Sequence, residues 1–169
     1  MTRQCASRRR FLALAGTTTS AAVGLAGCLG SGSGSTGQPA YESGDVPDDI
    51  DGEERTTQET TAAEAAAEVT PRDDLAPLDG LSIEDHEFVF ESGYAGSTVQ
   101  GTVENTSGER VGTAEVRVRV YNSDDQVLGL YLDSTGDLDG GAEWSFQVIL
   151  LESPADIADY DITVVGLPD

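Results

Sequence analysis

Over residues 113–121 the chain alternates with period two, setting Ala114, Val116, Val118 and Val120 against Glu115, Arg117 and Arg119. Successive side chains of an extended strand point to opposite faces, so this run buries one face and wets the other; on a helix the valines would be scattered around the axis. Residues 143–150 repeat the pattern, with Trp144, Phe146, Val148 and Leu150 opposed to Ser145 and Gln147. Further strands are expected at 85–91, 97–104, 126–133 and 159–165. Turn clusters separate them: Glu91-Ser92-Gly93, Asn105-Thr106-Ser107-Gly108, Asn122-Ser123-Asp124-Asp125 and Leu138-Asp139-Gly140-Gly141. Only residues 154–158 point to a helical turn. Short strands at this spacing with no helix between them predict an all-β fold, an antiparallel sandwich over residues 81–169.

Residues 28–80 have a different character. A Gly/Ser run, 30–37, leads into an acidic, Thr-rich stretch that includes Asp45, Asp48, Asp49, Asp51, Glu53 and Glu54. Low hydrophobicity with charge of one sign cannot bury enough surface to fold, so this segment is expected to be a disordered linker. Some fifty such residues would span about 40 Å as a random coil. Within it, residues 62–69 favour helix and Pro71 ends it, but eight residues are too few for an isolated helix.

Ser7-Arg8-Arg9-Arg10-Phe11-Leu12 resembles the twin-arginine export motif, with its paired arginines at Arg8 and Arg9 and its hydrophobic positions at Phe11 and Leu12. The run that follows, 11–26, is 16 residues long and interrupted by Thr17, Thr18, Thr19 and Ser20. That is short of the ~20 apolar residues of a spanning helix. It ends in Leu25-Ala26-Gly27-Cys28, which resembles the lipobox of exported lipoproteins. Residues 1–27 therefore read as a Tat-type lipoprotein signal peptide. The resemblance implies export in the folded state and cleavage before Cys28. It also implies a two-chain lipid on the Cys28 thiol, which anchors the protein to the extracellular face of the cell membrane; a single chain would hold it only marginally.

Charge narrows the partners. The chain has 31 acids and 9 basic residues, all arginine and none lysine. Four of the arginines precede Cys28, so five remain beyond it against 31 acids, a formal charge of −26. Nucleic acid and anionic bilayer surfaces are poor partners for that field, and no nucleic-acid partner is expected. A lysine-free, acid-rich composition resembles that of proteins from salt-in halophiles, where concentrated salt screens self-repulsion over a few Å. Cys5 would leave with the signal and Cys28 would carry lipid, so no thiol remains for a disulfide or a metal.

Within the sandwich, Val99-Gln100-Gly101-Thr102-Val103-Glu104-Asn105-Thr106-Ser107 is followed by the valine alternation and by Tyr121-Asn122-Ser123-Asp124-Asp125-Gln126-Val127-Leu128-Gly129. Leu138, Gly140 and Trp144-Ser145-Phe146 come next. The order of these pieces resembles the FxLyD domain, a small immunoglobulin-like module of bacterial and archaeal lipoproteins. The resemblance covers residues 88–165 and departs from the family in placing Gly140-Gly141 where its hairpin often has Pro-Gly. It implies an immunoglobulin-like sandwich at the cell surface and carries no catalytic residue.

Chemistry is sparse. A blue-copper site needs two histidines, a cysteine and usually a methionine, whereas the chain beyond Cys28 has His86 alone and no methionine. Structural zinc and iron–sulfur sites fail for want of the same ligands. His86 beside Asp85 lacks a nucleophile motif, so no catalytic residue and no cofactor is expected. Asp133, Asp137 and Asp139 with Gly140 and Gly141 form the one candidate calcium loop, without the spacing of an EF-hand. Asn105-Thr106-Ser107 matches the N-glycosylation acceptor pattern and equally an Asx turn. Arg117 and Arg119 either contact an acidic partner or pair with neighbouring carboxylates.

Two function classes remain. The first is a surface binding or assembly module whose strand edge or loops meet an envelope protein, peptide or glycan. The second, ranked lower because a domain of this size has no second lobe to close over a solute, is a small-ligand receptor or transporter accessory subunit.

Overall fold

The computed structural model describes residues 37–47, 50 and 52–169. The export motif (Arg8, Arg9, Phe11, Leu12), the lipobox (Leu25, Ala26, Gly27) and Cys28 lie outside the described residues.

Seven strands make two antiparallel sheets. One has the order β1 (Glu42–Asp45), β7 (Asp159–Pro168), β4 (Val111–Tyr121), β5 (Val127–Leu138); the other runs β2 (Leu81–Glu91), β3 (Gly96–Asn105), β6 (Glu143–Ile149). The sheets do not close into a barrel, and the all-β sandwich expected from the alternation is the fold. Ala114, Val116, Val118 and Val120 of β4 are completely buried, as are Val99 and Val103 of β3 and Val148 of β6. They form one core with Phe88, Phe146, Tyr160 and Ile162. Each large apolar side chain in it contributes about 1.5–3 kcal/mol relative to exposure.

Gly101 has a defined role in that packing. The β2–β3 register slips between Ile83 and Asp85, and a Cβ on Gly101 would overlap the Asp85 carbonyl oxygen and crowd the Phe146 ring. A bulge and a glycine therefore occur together, as close backbone approach requires. β5 extends past the expected 126–133 to Leu138 because the ladder with β4 continues through Thr113↔Gly136 and Val111↔Leu138. Tertiary pairing thus overrides the turn propensity of Gly136 and Asp137.

The larger correction lies upstream of Leu81. Residues 28–80 are expected to be disordered linker, yet the described part, from residue 37, is built into the sandwich as a belt. β1 pairs with β7 from Glu42↔Ile162 to Asp45↔Asp159. Gly44 stands opposite Tyr160, whose ring occupies the space a Cβ would need. Further on, Arg55 donates hydrogen bonds to three carbonyls of the sandwich, those of Tyr94, Ala95 and Leu150. A helix, α1 (Thr57–Ala66), then begins at a capping box in which Thr56 and Glu59 satisfy each other's backbone amides. Beyond it Glu68 bridges Leu132 of β5, and Ala76 bridges Gly166 of β7.

Composition misleads here for a physical reason. A polar, acidic segment cannot build its own core, but it can complete backbone ladders on existing sheet edges and accept or donate bonds at buried polar groups. α1 likewise starts before the expected 62–69, because the cap, more than alanine propensity, fixes its first turn.

Candidate binding surface

The rarest side chains show what the surface offers. Of the five arginines beyond Cys28, four pair with carboxylates: Arg72 with Asp74, Arg110 with Asp139, Arg117 with Glu115 and Arg119 with Asp161. Arg117 also donates to the Arg72 carbonyl, and Arg119 lies 3.6 Å from the centroid of the Tyr41 ring. These side chains hold the belt down. Arg117 and Arg119 thus pair with neighbouring carboxylates, the second of the two roles expected of them. The fifth, Arg55, donates to carbonyls and forms no ion pair among the described residues.

The candidate calcium loop does not converge. Asp133 accepts hydrogen bonds from the backbone amides of Ser134 (2.8 Å) and Gln147 (2.9 Å). Burial raises its carboxyl above the usual carboxylate range, and neighbouring Glu68 adds to the shift. Asp137 and Asp139 turn instead toward Arg110, at 3.6 and 2.9 Å. Among the described residues no group of three or more His, Cys, Asp or Glu side chains is placed to hold a metal ion.

Asn105 corrects a second expectation. It has no exposed surface. Its Nδ2 donates to the Glu109 and Leu138 carbonyls, and its Oδ1 accepts from the Ser107 amide and hydroxyl. Both Nδ2 protons are used inside the fold, so the Asx turn accounts for this residue and a glycan has no access to it. His86 shares a 2.8 Å hydrogen bond with the Tyr160 hydroxyl, not with Asp85. Burial pushes the Tyr160 phenol up to about 12, with Asp45 and Glu87 contributing.

Four strands lie at sheet edges: β1, β5, β2 and β6. An edge exposes a row of unpaired amides and carbonyls, a template for pairing. On β5, Leu132 donates to the Glu68 carbonyl of the belt; on β6, Gln147 donates to the Asp133 carboxylate. β1 is four residues long. β2 has eleven, pairs only with β3, and carries the exposed acids Glu84, Asp85 and Glu87. Among the described residues it is the long edge with no strand beyond it: the belt packs Gly52 against the Phe90 ring but adds no ladder there. Sequence reasoning expected edge pairing without locating it, because which edges are covered depends on where the belt docks. The Thr56-Thr57-Gln58-Glu59 spacing, a capping box, is the local signal that joins the helix propensity of residues 62–69 to a defined start.

Among the described residues no helix is long and apolar enough to cross a membrane. No family model and no solved structure matches the chain. A protein of Methanocaldococcus jannaschii described as uncharacterized is 28% identical over 86 residues, a match that covers 50% of this chain and 63% of that protein. The likeness is one of sequence, and no activity accompanies it.

Proposed function

We propose that the chain is a lipid-anchored cell-surface protein whose sandwich is a non-catalytic, FxLyD-like binding and assembly module working in high salt. The anchoring half of this reading rests on the export motif and on Leu25-Ala26-Gly27-Cys28. The binding half rests on one observation, the uncovered edge of β2. Its partner is an extended segment of an envelope protein or peptide, added as a further strand. Carboxylates along that edge select a cationic or neutral segment and repel a second copy of the same chain.

The belt alters the geometry of presentation. Thirteen residues separate Cys28 from β1. That is far shorter than the fifty-residue spacer first expected, so a lipid on Cys28 would hold the module close to the membrane. Cys28→Ala is expected to move the protein from the membrane fraction to the medium, or to leave its signal uncleaved, without changing the folded part. A Cys28→Ala protein that remains processed and membrane-bound would remove the lipid anchor from this reading.

A further inference from the structure

Where the belt passes the end of β6 it builds a cleft of about 180 Å3. Arg55, Glu53 and Glu54 of the belt line it together with Phe90, Ser97 and Glu152 of the sandwich. The belt thus supplies the second wall that the sandwich alone lacks. Two features of the cleft are unexplained by folding. Among the described residues Arg55 is the one arginine beyond Cys28 in no ion pair: Nε and Nη2 donate to carbonyls at 2.6–2.8 Å, and Nη1 donates to no described atom. Desolvation lowers its pKa, and Tyr131 and Glu59 offset only part of that shift. Ser97 is 1% exposed and its Oγ has no hydrogen-bond partner among the described residues. Buried hydroxyls are nearly always satisfied, and an orphan one diminishes stability.

The carboxylates around Arg55 are also incompletely used. Tyr131 donates to Oε1 of Glu152 and Ser153 to Oε1 of Glu54, leaving the second oxygen of each without a described partner. A simple anion would be repelled by three glutamates, and a simple cation by the guanidinium. A molecule that carries both charges satisfies both. The volume holds on the order of six waters, which corresponds to a small solute and not to a peptide.

We propose that this cleft binds a small zwitterion of the α-amino acid class, its carboxylate on Arg55 Nη1 and Ser97 Oγ and its ammonium on Glu54 and Glu152. The cleft meets β2 at Phe90 alone, away from Glu84, Asp85 and Glu87, so failure of amino-acid binding leaves the partner-binding reading intact. The test is calorimetric titration of the full chain in multimolar KCl with L-alanine and glycine, with propionate and ethylamine as half-ligand controls. Saturable amino-acid binding is expected with a Kd on the order of 1 mM or tighter, at least about tenfold stronger than either control. Ser97→Ala, which removes the orphan hydroxyl without adding bulk, is expected to raise the melting temperature of the free protein and to weaken alanine binding about fivefold or more. Absence of amino-acid binding, equal binding of propionate or ethylamine, or an affinity that Ser97→Ala leaves unchanged would overturn the assignment.

Discussion

A chain beginning at Leu81 is expected to show no cooperative unfolding transition, whereas one beginning at Gly37 unfolds in a single step. The sequence pattern places a domain boundary at residue 81, but the sandwich above that boundary is incomplete. Removing the belt takes away β1 and so opens the edge of β7. It uncovers Tyr160, 2% exposed, and Thr163, 4% exposed, whose hydroxyl donates to the Ala40 carbonyl. It also withdraws Leu75 and the partly buried Val46, Ile50 and Leu78 from the apolar interior. At about 1.5–3 kcal/mol for each fully buried side chain, and less for the partly buried ones, the apolar loss alone is on the order of 5 kcal/mol. That equals the whole net stability of many small domains. Urea denaturation followed by circular dichroism in concentrated KCl checks this. A chain starting at Leu81 that unfolds cooperatively at the midpoint of the longer one would show that the belt is only a passenger.

The second large effect is expected at Glu115. Its side chain is 1% exposed, and its carboxylate accepts a 2.6 Å bond from Arg117 Nε, itself on a side chain only 15% exposed. Both lie on the face of β4 opposite the core valines, where an uncovered sheet would be wet. The belt crosses there, and Arg117 Nη2 reaches the Arg72 carbonyl at 2.7 Å. Glu115→Ala would strand a desolvated guanidinium, and removal of one member of a buried pair costs about 3–5 kcal/mol. Replacing both residues with leucine removes both charges at once and is expected to restore most of that loss. Because the pair is shielded from solvent, the Glu115→Ala deficit is expected to change little between low and high salt, unlike that of a surface pair. A deficit below about 1 kcal/mol would mean that the pair is solvated, as for exposed ion pairs.

These two predictions mark where the sequence was legible and where it was not. The alternation of Val116, Val118 and Val120 is local and has one physical solution, so β4 and its buried face could be read directly. Phe146 and Val148 on β6 were legible in the same way. Asn105 was ambiguous because an Asx turn and a glycan acceptor use the same residues; burial decided between them. The belt was illegible because nothing in Glu42-Ser43-Gly44-Asp45 resembles a strand by propensity. Its pairing comes from the waiting edge of β7, and Gly44 is informative only once Tyr160 is known to lie against it. Arg55 and Ser97 were missed for a related reason. An unpaired cation or an orphan hydroxyl is defined by what fails to surround it, which single-chain patterning does not encode.

The central functional claim is that the uncovered edge of β2 receives a partner strand at the cell surface. The most direct measurement is proximity labelling on intact cells at native salt, comparing the native chain with Asp85→Arg/Glu87→Arg. Both acids are exposed on the edge strand and lie outside the core. A labelled envelope protein that is reproducible with the native chain and lost on charge reversal, with expression and melting temperature unchanged, is the predicted result. Equal labelling of the same proteins by the native and charge-reversed chains would contradict it.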